Sequence, residues 1–351
     1  MNRDYYLKLA RSGLRMPIGA DLVLHESPDP EAVKNDGEAL GKVVEQTAKR
    51  FGTPLAFPLM DLTLEKLDLL TYLGVPPAQM DSYHFAAPPP AGLIDELQAA
   101  SGRPFPHRIA ANQEAVQYIR DRTDLLPVGM LIGPFSLMTK LVSDPITPVA
   151  MAAAGDDAGN NEGVCLIERC LALAEAAVLR SALAQIEAGA RAMIVCEPAA
   201  NTVYLSPRRL RSGSNILERY VLGPNRRLRQ ALGERDVDLI FHNCGELLTD
   251  MVRQFAVELN PVMLSLGGSR KLWEDAKVVP DDIVLFGNLP TKMFYSDSVM
   301  PEEEVRRRTR ELRDHMAACG HAHILGSECD VLHVGEAAET IRRKVQVMLA
   351  D

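Results

Sequence analysis

The stretch "DLIFHNCGELL", residues 238–248, passes from a short apolar run into a segment with helix-like spacing, and His242 and Cys244 stand at the changeover. Such an apolar run reads as a strand, so the polar pair falls where the strand should end and its loop begin. The same unit recurs along the chain. Further strand candidates are "DLVL" from Asp21, "LAFPL" from Leu55, "VGMLI" from Val128, "AMIV" from Ala192, "VMLSL" from Val262, "DIVLF" from Asp282 and "AHILG" from Ala322. Between them lie amphipathic stretches. "IERCLALAEAAVLRSALAQIEAGA" ends in a glycine stop, "EEEVRRRTRELRDHMAACG" has acids first and glycine last, and "EAAETIRRKVQVMLA" follows near the end. Strands that are apolar throughout and alternate with helices predict a parallel sheet covered on both faces. The expected fold is α/β, a single (β/α)8 TIM barrel over residues 1–351, with residues 1–50 an N-terminal extension packing on it.

The 351 residues, 47% hydrophobic and 24% charged, suffice for a full core, and the net charge of −9 argues against a phosphate-tracking nucleic-acid binder. No apolar run approaches a membrane span, and "MNRDYYLKLARSGLRMP" lacks the apolar core and cleavage site of a signal peptide. Six cysteines without framework spacing fit a reducing cytoplasm, which is the expected location. A homodimer is left open.

In a parallel barrel, chemistry gathers at the C-terminal ends of the strands. Polar residues expected on that rim are Asp61, Glu197, His242, Cys244, Asn288, Glu328 and Cys329. His242, Cys244 and Cys329 supply one nitrogen and two sulfurs, a set that suits zinc and leaves a fourth position open, as catalytic sites do. A His-x-Cys doublet is also common by composition, and a lone cysteine is more often a small buried hydrophobe. On spacing and strand placement alone, the zinc and packing readings stand level.

"FHNCG" followed far downstream by "GSECDV" resembles the zinc motif of cobalamin-dependent methyltransferases in the uroporphyrinogen decarboxylase-like superfamily. That branch includes methylcobamide:coenzyme M methyltransferases and the methyltransferase components of corrinoid O-demethylase systems. "IEAGARAMIVCEPAANTVYLSP", "LIGPFSLMTKL" and "IVLFGNLP" are similar to further family segments, so the resemblance covers most of the chain. It implies a TIM barrel, zinc on His242, Cys244 and Cys329, and a cobalamin (corrinoid) as co-substrate. The carrier-type motif Asp-x-His-x-x-Gly is absent, which points to a separate corrinoid carrier protein as partner, beside a small-molecule methyl donor or acceptor. The resemblance departs near the N-terminus. Decarboxylases of the superfamily carry an arginine-rich element there, whereas "RMPIGADLVLHE" has Arg15 alone. That argues against porphyrinogen decarboxylation, and a cofactor-free decarboxylase of the uroporphyrinogen decarboxylase type is kept as the alternative reading.

Glu197 and Asn288 are the catalytic candidates. Glu197 could act as general base, as a displaceable fourth ligand or as a helix-cap partner, with Cys196 in the core. Glu328 is expected to face solvent. His321 and His323 read as packing histidines, and Asp61 as an N-cap before a pocket residue. Tyr83 and His84 are weaker pocket candidates. Arg208, Arg209, Arg211, Arg226, Arg227 and Arg229 read as a solvated face before a docking patch for an acidic partner. Cys165, Cys170 and Cys319 read as packing residues.

Overall fold

The computed structural model describes residues 2–350. Its strands are β1 (Arg15–Ile18), β2 (Leu55–Ala56), β3 (Leu126–Ile132), β4 (Ala192–Cys196), β5 (Asp238–Asn243), β6 (Met263–Leu266), β7 (Val284–Leu289) and β8 (His323–Asp330). All pair in parallel, in the order β1-β8-β7-β6-β5-β4-β3-β2. This is the TIM-barrel-like α/β fold that the sequence predicts. Successive side chains point to opposite faces of a strand. Met16, Met130, Ile240, Phe286 and Ile324 accordingly share one buried cluster in the lumen, while Leu131, Phe241, Leu264, Leu285 and Leu325 join the larger cluster beneath the helices. Both faces are covered, hence the unbroken apolar runs.

Among the described residues β1 and β2 share no ladder, and side chains bridge the seam. The Thr53 hydroxyl donates to the Met16 sulfur at 3.1 Å, and Phe57 stacks on Phe286 with centroids 6.3 Å apart. The helix Arg3–Arg11 sends Tyr6 and Ala10 into the lumen cluster, and Arg3 donates to the carbonyls of Asn260, Pro261 and Asp282. These contacts tie the helix to the N-terminal ends of β6 and β7.

Two sequence expectations change. "DLVL" is not a strand: it lies in the buried helix Ala20–Leu24, and β1 is the preceding "RMPI". A buried run of four, here Asp21 and three apolar residues, carries no period that separates helix from strand. Residues 1–50 therefore include a barrel strand besides packing elements. The other change is that β5, β7 and β8 outrun their apolar cores. His242, Asn288, Glu328 and Cys329 thus lie on strands rather than after them.

β8 also breaks step with β1. Met16 pairs with Gly326 but Ile18 with Asp330, so β8 carries two more residues than β1 across this interval. The Ser327 hydroxyl accepts from Ile18 N at 2.9 Å within the irregularity. Bulges re-aim side chains, and this one holds Glu328 and Cys329.

The long helices follow their sequence signals. Glu162–Ala188 starts where the Asn161 side chain accepts from Val164 N at 3.1 Å, and it stops at Gly189, whose φ of +117° favours glycine. Glu302–Cys319 likewise stops at Gly320. No helix among the described residues is long and apolar enough to cross a membrane.

A Cβ on Gly326 would come within 2.3 Å of the Met16 carbonyl oxygen and 2.4 Å of the Phe286 ring. Backbone cannot give way cheaply, so Gly326→Ala should lower stability by about 2 kcal/mol or more, read as a lower urea midpoint.

Burial of Glu65, whose Oε1 accepts from the Ser181 hydroxyl at 2.9 Å, pushes its carboxyl from 4.5 up to about 7. Between those values the folded protein holds a proton that the unfolded chain has lost. This group's contribution to stability therefore falls as pH rises through that window and levels off above it. The stability of Glu65→Gln relative to wild type should rise between pH 4.5 and 8 by up to roughly 3 kcal/mol in paired denaturant titrations.

Candidate metal centre at the barrel mouth

On β5, Ile240 and His242 face the lumen while Phe241 and Asn243 face outward; Cys244 follows at the strand end. Asn243 secures the turn: its side-chain NH2 donates to the carbonyls of Glu197 at 2.7 Å and Ala200 at 2.9 Å, and its Oδ1 accepts from Gly245 N. The irregular end of β8 brings Cys329 to the same place. One ligand atom from each of His242, Cys244 and Cys329 lies within 4.8 Å of the others. Neither cysteine is in a disulfide. The His242 ring is 1% exposed; its Nδ1 lies 2.8 Å from the Ser265 hydroxyl, and its buried Nε2 has no hydrogen-bond partner in the protein.

This donor set fits a zinc ion. Tetrahedral bonds to sulfur and nitrogen space the ligand atoms about 3.5–3.8 Å apart, which a small inward shift of these side chains reaches. A ligating imidazole uses one nitrogen and fixes its orientation through the other. Here Nδ1 is held by Ser265 and Nε2 is left over. An unpartnered buried imidazole nitrogen would otherwise be a plain cost.

The electrostatics favour thiolate. A hydrogen bond from the Cys329 thiol, with the His242 ring and the Lys292 ammonium, holds the Cys244 thiol well below its ordinary range against the effect of burial. Cys329 is pushed up by that same bond to Cys244 and by burial. Lys292 Nζ donates to Cys244 Sγ at 3.8 Å.

Glu328 corrects its sequence reading. It is buried, and its carboxylate accepts from Gly268 N at 2.9 Å and Lys292 N at 3.3 Å. It anchors the turns after β6 and β7 instead of facing solvent. Asn288 does related work, donating to the carbonyls of Gly267 at 2.7 Å and Arg270 at 2.9 Å. Its amide shapes the neighbouring turn; it is not one of the clustered donors.

Glu197 is the main correction. Cys196 takes the lumen side of β4, in the core as expected, so Glu197 points outward and is fully buried. Its carboxylate accepts from Phe135 N at 3.1 Å, Ser136 N at 2.9 Å, the Ser136 hydroxyl at 2.7 Å and the Asn225 amide at 2.8 Å. It joins the start of the helix Pro134–Thr139 to the helix Gly223–Gly233. Neither a general base nor a fourth ligand fits this placement; burial raises its carboxyl pKa while these bonds oppose the rise.

The remaining candidates divide. Asp61 is not the N-cap expected of it: Thr63 takes that position before the helix Leu64–Tyr72, while Asp61 accepts from Thr63 N at 3.1 Å in the preceding turn and pairs with Arg108 at 2.8 Å. His321 and His323 each donate through Nε2 at 2.9 Å, to the carbonyls of Ile283 and Gly287, and are packing residues outside the donor cluster; the Nδ1 of His321 lies 3.6 Å from Asp281 Oδ1. Tyr83 packs edge-on against Phe85, and His84 is exposed. Of the arginines, Arg226 pairs with Glu218 and Glu258, and Arg227 with Glu175. Cys170 is buried and Cys165 half-buried as expected, whereas Cys319 is exposed at its helix end.

Sequence reasoning missed Ser265, Lys292 and Asp330. Asp330, last in β8, is 6% exposed with both carboxylate oxygens unpartnered; burial, then the nearby Asp21, raises its carboxyl pKa well above the usual range. Adjacency to Cys329 was the available signal. No sequence signal marks Ser265 or Lys292, because their importance is spatial. Around the mouth, Val203, Met293, Tyr295, Val299, Leu332 and Val334 are exposed on the connections after β4, β7 and β8.

The family model for uroporphyrinogen decarboxylase (URO-D) matches residues 28–348. The chain belongs to that family. Among solved structures, a methyltransferase from Methanosarcina mazei is similar with a TM-score of 0.66 and 18% identity, over 99% of this chain and 98% of that one. At that identity the likeness is one of fold. No curated protein matches the sequence. Within the URO-D fold of this chain, the His-Cys-Cys cluster lies at the C-terminal ends of β5 and β8.

Glu197→Ala would leave the donors of Phe135, Ser136 and Asn225 buried without an acceptor. The expected loss is about 3 kcal/mol or more in denaturant unfolding, with metal content per folded chain unchanged by elemental analysis. Selective loss of metal would return Glu197 to the site.

Proposed function

We propose that the protein is a zinc-dependent methyltransferase, moving a methyl group between a corrinoid on a separate carrier protein and a small substrate. The substrate is either a thiol acceptor or a methoxylated or methylated donor. The observation that carries this reading is the convergence of His242, Cys244 and Cys329, with the Nε2 of His242 unpartnered. The methyltransferase of similar fold supports it. The decarboxylase alternative is weakened by Arg15, whose guanidinium donates to the Leu349 carbonyl at 3.1 Å.

Zinc bound here would supply a positive charge that stabilises a thiolate, or polarises a leaving oxygen, at neutral pH. The chain's residues supply the rest. Ser265 fixes the imidazole, and the bulge in β8 aims Cys329. Two thiolates and one imidazole leave the fourth coordination position for the reacting group. The exposed apolar residues on the connections after β4, β7 and β8 are the docking points proposed for the carrier.

The purified protein should carry about one zinc per chain, and His242→Ala or Cys244→Ser should lose most of it while remaining folded. Full occupancy in a Cys244→Ser, Cys329→Ser double variant would sink the assignment.

Cys329→Ala should slow single-turnover methyl transfer, followed by the corrinoid absorbance change, on the order of 100-fold or more. Affinity for the carrier protein, titrated separately, should change little. Normal single-turnover chemistry in this variant would make the metal structural.

A further inference from the structure

Lys292 stands beside Cys244 at the mouth, and the reading above gives it no task. It sits in the short turn Thr291–Met293 after β7, fixed at both ends. Its own N–H is held by Glu328, and Phe294 N donates to the Thr291 carbonyl at 3.0 Å. The next residue is anchored as well: the Lys344 ammonium, fully buried, donates to the Phe294 carbonyl at 3.1 Å. A turn held this firmly presents its side chain in a defined direction, and the Lys292 ammonium reaches Cys244 Sγ.

We propose that Lys292 is a positioning residue that makes the open coordination position select an anionic ligand over a neutral one. The proposal rests on the metal reading above and deepens it. A divalent ion held by two thiolates and a neutral imidazole has a net charge of zero, so an anionic fourth ligand leaves the centre at −1. The Lys292 ammonium returns that total to zero, and a neutral fourth ligand gains nothing comparable. The N–H···S contact also draws electron density from Cys244, which weakens its donation to the metal and leaves the metal a stronger acceptor. Because Lys292 lies at the surface, its field is open to screening by salt.

Cobalt(II) in place of zinc makes the centre visible through its sulfur-to-metal charge-transfer bands. The probes are azide and 2-mercaptoethanol, which bind as anions, and imidazole, which binds neutral. Each is titrated at fixed pH into the cobalt-loaded wild type, Lys292→Met, Lys292→Gln and Lys292→Arg. In Lys292→Met, azide and 2-mercaptoethanol should bind about tenfold more weakly, with imidazole affinity changed by less than about twofold. The charge-transfer band of the ligand-free site should move to lower energy, since Cys244 loses its N–H donor. Lys292→Arg should restore anion affinity, and the wild-type preference for anions should shrink as ionic strength rises. Should Lys292→Met fail to fold or to take up cobalt, Lys292→Gln serves instead: it keeps an N–H donor without the charge and should still lose the preference. Equal weakening of all three probes, or no change in any, would overturn the proposal. A wild type without charge-transfer bands would instead overturn the metal reading itself, so the two failures are distinguishable.

Discussion

The carboxylate of Glu328 bridges Gly268 N and Lys292 N, fastening the turns after β6 and β7 to the strand that carries Cys329. Two charge-assisted hydrogen bonds to part-buried backbone hold those turns against each other. The approach is close: a Cβ on Gly268 would stand 2.7 Å from the Glu328 oxygen, so glycine is what lets the turn come in. The position of Lys292 beside Cys244 follows from the same contact, as does the spacing between the β6 turn and the end of β8.

A second carboxylate does the equivalent work on the other side of the barrel. Glu197 collects the first backbone donors of the helix Pro134–Thr139 and the Asn225 amide, while Asn243 holds the Glu197 carbonyl. That chain of bonds runs from the loop after β3 to the end of β5, where His242 and Cys244 begin. The two acids therefore lie behind the mouth and stiffen it. Reacting groups held by a packed and hydrogen-bonded surround keep their geometry, which the open coordination position proposed for this site requires.

Within that frame the chemistry is concentrated on few atoms. Ser265 orients one imidazole nitrogen, and the other is left free toward two sulfurs. The Lys292 ammonium stands beside Cys244 in space, and the buried, unpartnered Asp330, its carboxyl pKa raised by burial, follows Cys329 in sequence.

The sequence by itself determined the barrel, through short apolar runs alternating with capped amphipathic stretches, and it singled out His242, Cys244 and Cys329 as candidate donors. Those properties are local: a strand buried on both faces must be apolar throughout, and a nitrogen with two sulfurs has a limited choice of metal. It also carried the stops at Gly189 and Gly320, because a residue with positive φ is constrained by its own backbone. What only the tertiary structure decided is direction. Glu197 and Cys196 are adjacent, and pleating sends one to the lumen and the other outward; nothing in "VCEP" says which. Odd-numbered Leu325 packs outward while odd-numbered Cys329 reaches the mouth, because the pairing irregularity between them depends on a partner strand three hundred residues earlier. Lys292 and Ser265 matter through neighbours distant in sequence, and the helix at "DLVL" differs from a strand only in what surrounds it. Spacing along a chain records which groups are available; packing in three dimensions decides which of them meet.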